Sequence, residues 1–135
     1  MNQFFISYII SGLVFAVVDG IWLSFVANSF YRSQIGSLLL DKPNLPAAVA
    51  FYAIFLVGLV VFVITPSLEA GSIKMAAVLG ALFGLVTYAT YDLTNLATLK
   101  NYSLTMTVVD IIWGIVLSAS VSVLTVILIQ QFIAS

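Results

Sequence analysis

The sequence predicts an all-α fold, an integral membrane bundle of four transmembrane helices, and three observations carry that prediction. Of 135 residues, 63% are hydrophobic and 7% are charged, where soluble domains carry roughly 25% charged residues. Mean hydropathy is +1.23, more apolar surface than a soluble fold of this size can hide. The apolar residues also fall into four runs, each long enough to cross about 30 Å of hydrocarbon at about 1.5 Å per residue. These runs lie at about 4–27, 47–65, 73–98 and 104–133, and residues 1–135 read as one four-helix domain.

The first run, Phe4–Ala27, lacks the basic leading segment and small-residue cleavage site of a signal peptide, so it is expected to stay as a span. The connection after it is long, and its Phe30, Ile35 and Leu38–Leu40 predict a segment lying along the interface. Pro43 and Pro46 lead into the second run, Ala47–Thr65, which has no ionisable residue. Its Phe51, Tyr52, Phe55 and Phe62 read as packing and interface anchors, so this helix is expected to support the bundle from outside any polar site. Pro66 is expected to end it, with S-L-E-A-G-S turning the chain. The third run, Ile73–Thr98, and the fourth, Leu104–Ile133, are joined only by a short loop at Asn101–Ser103, which makes them antiparallel neighbours.

The third run is the unusual one, because it ends in T-Y-A-T-Y-D-L-T-N-L-A-T-L-K at Thr87–Lys100. At about 100° per residue, Thr87, Tyr88, Tyr91, Asp92, Asn95 and Thr98 fall in one sector of about 140°, and Val86, Ala89, Leu93, Leu96 and Ala97 face away. Further back the same sector continues as Ala76, Gly80 and Gly84, a small-residue face suited to close helix packing. A polar sector at bilayer depth is costly unless it faces protein or water.

Three aspartates share a depth. Asp19 and Asp92 lie before the ends of spans one and three, and Asp110 lies after the start of span four. Those ends emerge on one side, which puts each carboxyl group roughly 9–12 Å below one surface. Arg32, Lys42 and Lys100 stand on that same side. A short echo, V-V-D-G-I-W at Val17–Trp22 and V-V-D-I-I-W at Val108–Trp113, sets a tryptophan near two of the acids. Being on antiparallel spans, the echo is of inverted type, though six residues of apolar composition also arise by chance.

The expected substrate- or proton-binding set is therefore Asp19, Asp92, Asp110, Asn95, Tyr88, Tyr91, Trp22, Trp113, Arg32 and Lys100. They are expected to line one cavity between spans one, three and four. Each has a blander reading: an aspartate can staple helices, the tryptophans can be core aromatics, and the bases can be topology signals. Three carboxyl groups near one another and partly out of water cannot all ionise cheaply, which favours a functional pocket.

Cysteine and histidine are absent, which removes thiolate chemistry and His-based catalysis, and a net charge of −1 without a basic patch gives no footprint for nucleic acid. No cofactor is expected. The chain resembles a bacterial family of small membrane proteins catalogued as domain of unknown function 2177. The resemblance rests on D-G-I-W-L at Asp19–Leu23, F-Y-R-S at Phe30–Ser33 and P-N-L around Asn44. It continues in P-S-L-E-A-G at Pro66–Gly71, A-T-Y-D-L-T-N-L-A-T-L-K at Ala89–Lys100 and V-D-I-I-W-G at Val109–Gly114. It implies a four-span protein of a bacterial inner (plasma) membrane, and adds Glu69 to the residues of interest, but implies no activity.

Three function classes fit. One is a proton- or cation-coupled transporter of a small solute, whose small size points to a homodimer. Another is a membrane-embedded enzyme acting on a lipid or isoprenoid head group, in which the aspartates would hold Mg²⁺ and Arg32 or Lys100 would bind phosphate. The third is an accessory subunit. The expected partners are the lipid bilayer and a small molecule or lipid. The bias of Arg32, Lys42 and Lys100 against Lys74 alone puts the first and third connections in the cytoplasm.

Overall fold

The computed structural model describes residues 2–133. Four helical rods, at Gln3–Val26, Leu45–Ala70, Ile73–Thr98 and Leu104–Phe132, are long and apolar enough to cross a membrane. The chain is a multi-pass membrane protein. Each rod begins where a side chain takes over an orphan backbone N–H. Asn2 caps Phe4 N, Asn44 caps Ala47 N, Ser72 caps Met75 N and Ser103 caps Met106 N.

Span one is α1 (Gln3–Trp22), followed by a wide π turn at Leu23–Ala27 and then α2 (Asn28–Ile35). The helix therefore runs on into the first connection, where an interfacial segment was expected. A single 3₁₀ turn at Gly36–Leu38 follows. α2 lies over span four, because Ile35 is buried with Tyr102 and Met106, flanked by Phe30 and Leu96. That contact accounts for Leu96, expected to face away from the polar sector.

Span two does not stop at Pro66. It comprises α3 (Leu45–Leu59), a second π turn at Val60–Ile64 and α4 (Thr65–Ala70). In a regular helix a proline ring strikes the carbonyl four residues back and removes one bond. The wide turn just before Pro66 gives the ring room, so the rod reaches Ala70 and only Gly71, with φ of 62°, ends it. Glu69 is left exposed at that end.

α5 (Ile73–Thr98) and α6 (Leu104–Phe132) are the closest pair. A Cβ on Gly84 would lie 2.1 Å from the Gly114 carbonyl oxygen, and a Cβ on Gly80 would lie 2.9 Å from Ala119 Cα. Glycine is needed at both places because backbone meets backbone. α6 is the central rod, touching α1, α2, α5 and the π turn of span two. The core gathers Phe15, Leu59, Val60, Val63, Ile64, Leu117 and Val121. Leu13, Val17, Ile54, Val78, Leu82 and Ile112 are exposed on the outside, the surface that a bilayer covers.

Candidate functional site

The polar centre lies toward the end of the bundle that carries α2 and the Asn101–Ser103 loop. Asp19, Asp92 and Asp110 are all buried there, Asp92 completely. Asp92 sits beside Asp110, and Asp110 is also a neighbour of Asp19. The shared depth follows from the antiparallel helices, and burial follows because each aspartate occupies the face its helix turns inward.

Uncharged aromatic groups supply the hydrogen bonds to these acids. Asp19 accepts from Trp113 Nε1 at 3.2 Å and from the Tyr52 hydroxyl at 3.2 Å. Asp110 accepts from the Tyr31 hydroxyl, which itself accepts from Trp22 Nε1 at 3.1 Å. Asp92 accepts from the Tyr102 hydroxyl at 3.0 Å through Oδ1, and its Oδ2 is buried without a partner. The indoles of Trp22 and Trp113 stack with centroids 4.2 Å apart and planes 6° from parallel. The two D-x-x-W segments of the echo thus meet face to face. Each tryptophan serves the other segment's aspartate, Trp113 directly and Trp22 through Tyr31.

A cavity of about 370 Å³ adjoins this network, lined by Phe51, Thr87, Tyr88, Tyr91 and Asp110. Its outer edge is formed by Phe51 and Tyr91, both exposed on the outside of spans two and three. Span two meets α5 mainly through its π turn and Phe55, which touches Phe83 and Tyr88. Phe51 and Tyr91 thus line the cavity from the outer surface of these spans, the surface that a bilayer covers.

The expected set divides. Of the ten residues expected to line one cavity, Tyr88, Tyr91 and Asp110 do so, while Asp19, Trp22 and Trp113 belong to the hydrogen-bond network and Asp92 sits beside Asp110. Asn95 is half-buried near Tyr102. Arg32 and Lys100 are exposed, as are Lys42 and Lys74, so all four basic residues of the chain stand outside. Span two does not stand outside the site: Tyr52 holds Asp19 and Phe51 lines the cavity. A helix without an acid or base at the depth of the site looks inert in sequence, yet a phenol donates to a carboxylate without carrying charge. Tyr31 and Tyr102 were likewise missed, since they lie in connections that only the tertiary fold brings over the acids. Burial pushes both phenols above the ordinary tyrosine range, with the bond to Asp110 adding to the effect at Tyr31.

Fold and site together define a four-span integral membrane protein with an acidic, aromatic-lined centre. The profile of a family described as predicted membrane protein (DUF2177) matches residues 4–127, and the chain belongs to that family. Comparison with curated proteins and with solved structures finds no match.

Proposed function

We propose that this protein is a proton- or cation-coupled transporter of a small solute, acting in a bacterial inner membrane. One observation carries the reading: three neighbouring buried carboxyl groups, one of them lining a cavity, accept hydrogen bonds from uncharged donors. Among the described residues no fixed cation balances them, since the four basic side chains are exposed. Such a group stays buried at low cost only when a proton or a mobile cation neutralises it. A site whose neutralising partner is exchangeable is the physical requirement for coupling solute to ion.

The exposure of the cavity-lining Phe51 and Tyr91 on the outside of the bundle also favours a second reading, an enzyme that takes a lipid or isoprenoid head group from the bilayer. Against it, among the described residues no group of three His, Cys, Asp or Glu side chains converges to hold a metal ion. The aspartates are engaged one by one with aromatic donors instead, so they make a poor seat for Mg²⁺.

Both tryptophans of the chain lie in the network, so intrinsic emission reports on it directly. The expected result is an emission change between mildly acidic and mildly alkaline pH that Asp92→Asn or Asp110→Asn alters, with Mg²⁺ alone producing none. A flat wild-type profile would overturn the transporter reading. A saturable Mg²⁺ response lost in Asp92→Asn would favour the enzyme.

A further inference from the structure

The cavity wall has a chemistry of its own. Phe51, Tyr88 and Tyr91 supply three aromatic rings, Thr87 one hydroxyl, and Asp110 the acid. The Thr87 hydroxyl is already donated to the Phe83 carbonyl at 2.8 Å. The cavity therefore offers a ligand π faces, the phenol hydroxyls of Tyr88 and Tyr91, and a carboxylate. A carboxylate with no basic partner repels an anion, and a neutral polar ligand has at most the two phenols as side-chain donors in the lining. A cation gains on both counts, because ring faces attract positive charge and a carboxylate balances it.

Access narrows the class further. Phe51 and Tyr91 both line the cavity and are exposed on the outside of the bundle, each about two helical turns inside its span, which points to a mouth between them on the surface that a bilayer covers. A ligand entering there comes from the bilayer and must partition into it, which a small hydrated ion does poorly. A volume of about 370 Å³ lies at the lower end of small-molecule sites, which run about 300–1,000 Å³. We infer that the cavity binds a small lipophilic monocation, an aromatic or alkyl amine or quaternary ammonium, with its charged head toward Asp110 and its apolar body between the rings.

This rests on the transporter reading and names its solute class. The titratable groups around the head are Asp19 from α1, Tyr31 from α2, Tyr52 from α3, Tyr88, Tyr91 and Asp92 from α5, and Tyr102, which donates to Asp92. No basic group is among them. Cation and proton therefore compete for the same charge, so the cation should bind more tightly as pH rises and release protons as it binds.

The probe is benzyltrimethylammonium, with neopentylbenzene as its uncharged isostere. Binding to purified full-length protein is followed by tryptophan emission and by proton release into weak buffer. The expected result is saturable binding of the ammonium alone. Asp110→Asn should weaken it at least tenfold. Tyr91→Leu, at the exposed mouth and outside the hydrogen-bond network, should weaken it about two- to thirtyfold, the range of a cation–π contact. Thermal melts confirm that each variant is folded, and Tyr91→Leu keeps the test decisive if Asp110→Asn is not. Equal response to the isostere, or no saturable response to the ammonium while emission still titrates with pH, overturns the inference and leaves proton exchange standing. Ammonium binding that neither depends on pH nor releases protons supports the cation site and overturns the coupling instead.

Discussion

Replacing Gly84 with alanine tests whether the α5–α6 seam sets the geometry of the site. The added methyl would lie 2.1 Å from the Gly114 carbonyl oxygen, 2.7 Å from the Gly114 carbonyl carbon and 2.9 Å from Ser118 Oγ. A close carbon–oxygen contact between packed backbones is about 3.3–3.6 Å, so the helices must separate locally by about 1.2 Å or more. The obstacle is backbone, so turning a side chain cannot relieve it. Overpacking of this kind costs about 1–3 kcal/mol, and the upper end is expected because α5 and α6 share the most extensive contact in the bundle. Two turns along α5, Asp92 would move relative to Asp110. Gly20→Ala is the control, since a Cβ there meets nothing within 4 Å. Unfolding by denaturing detergent, followed by tryptophan emission, gives both stability and the state of the stacked indoles. Gly84→Ala within about 0.5 kcal/mol of wild type, a change typical of a surface site, would refute the argument.

Tyr102→Phe should destabilise the fold by about 1.5–3 kcal/mol, because it leaves the fully buried Asp92 without any donor. The double variant with Asp92→Leu should recover most of that loss in the same unfolding assay. Tyr31→Phe breaks both links from Trp22 to Asp110 and should shift tryptophan emission while the fold persists. Tyr31 and Tyr102 hold their protons more firmly when folded than when unfolded. Their contribution to stability should therefore be complete below pH about 10, the ordinary tyrosine value, and should fall as pH rises further. Phenolate absorbance from these two residues should appear only on unfolding. A reporter fused at the C-terminus should read as non-cytoplasmic, as the positive-inside bias of Arg32, Lys42 and Lys100 requires; a cytoplasmic signal reverses the orientation.

The four spans were legible in the sequence because hydrocarbon thickness imposes a length, and length and hydropathy are local properties. The small face of Gly80 and Gly84 was legible for a similar reason, since helical periodicity puts residues on one side whatever they meet. The depth of Asp19, Asp92 and Asp110 followed from counting residues to the ends of alternating spans. What each acid bonds to was not legible. Tyr31, Tyr52 and Tyr102 are 79, 33 and 10 residues from their aspartates, and no local pattern marks a phenol as a donor rather than an interface anchor. Pro66 carried the wrong message because its usual effect is local, whereas the wide turn that absorbs it is set by Val60–Ile64 packed between spans one, three and four. The sequence by itself determined a four-span bundle with acids at one level, because bilayer thickness and helical period act on neighbours along the chain. Only tertiary structure decided which phenols and indoles hold the acids, and which residues line the cavity. Those contacts join helices whose relative rotation and separation depend on every side chain between them.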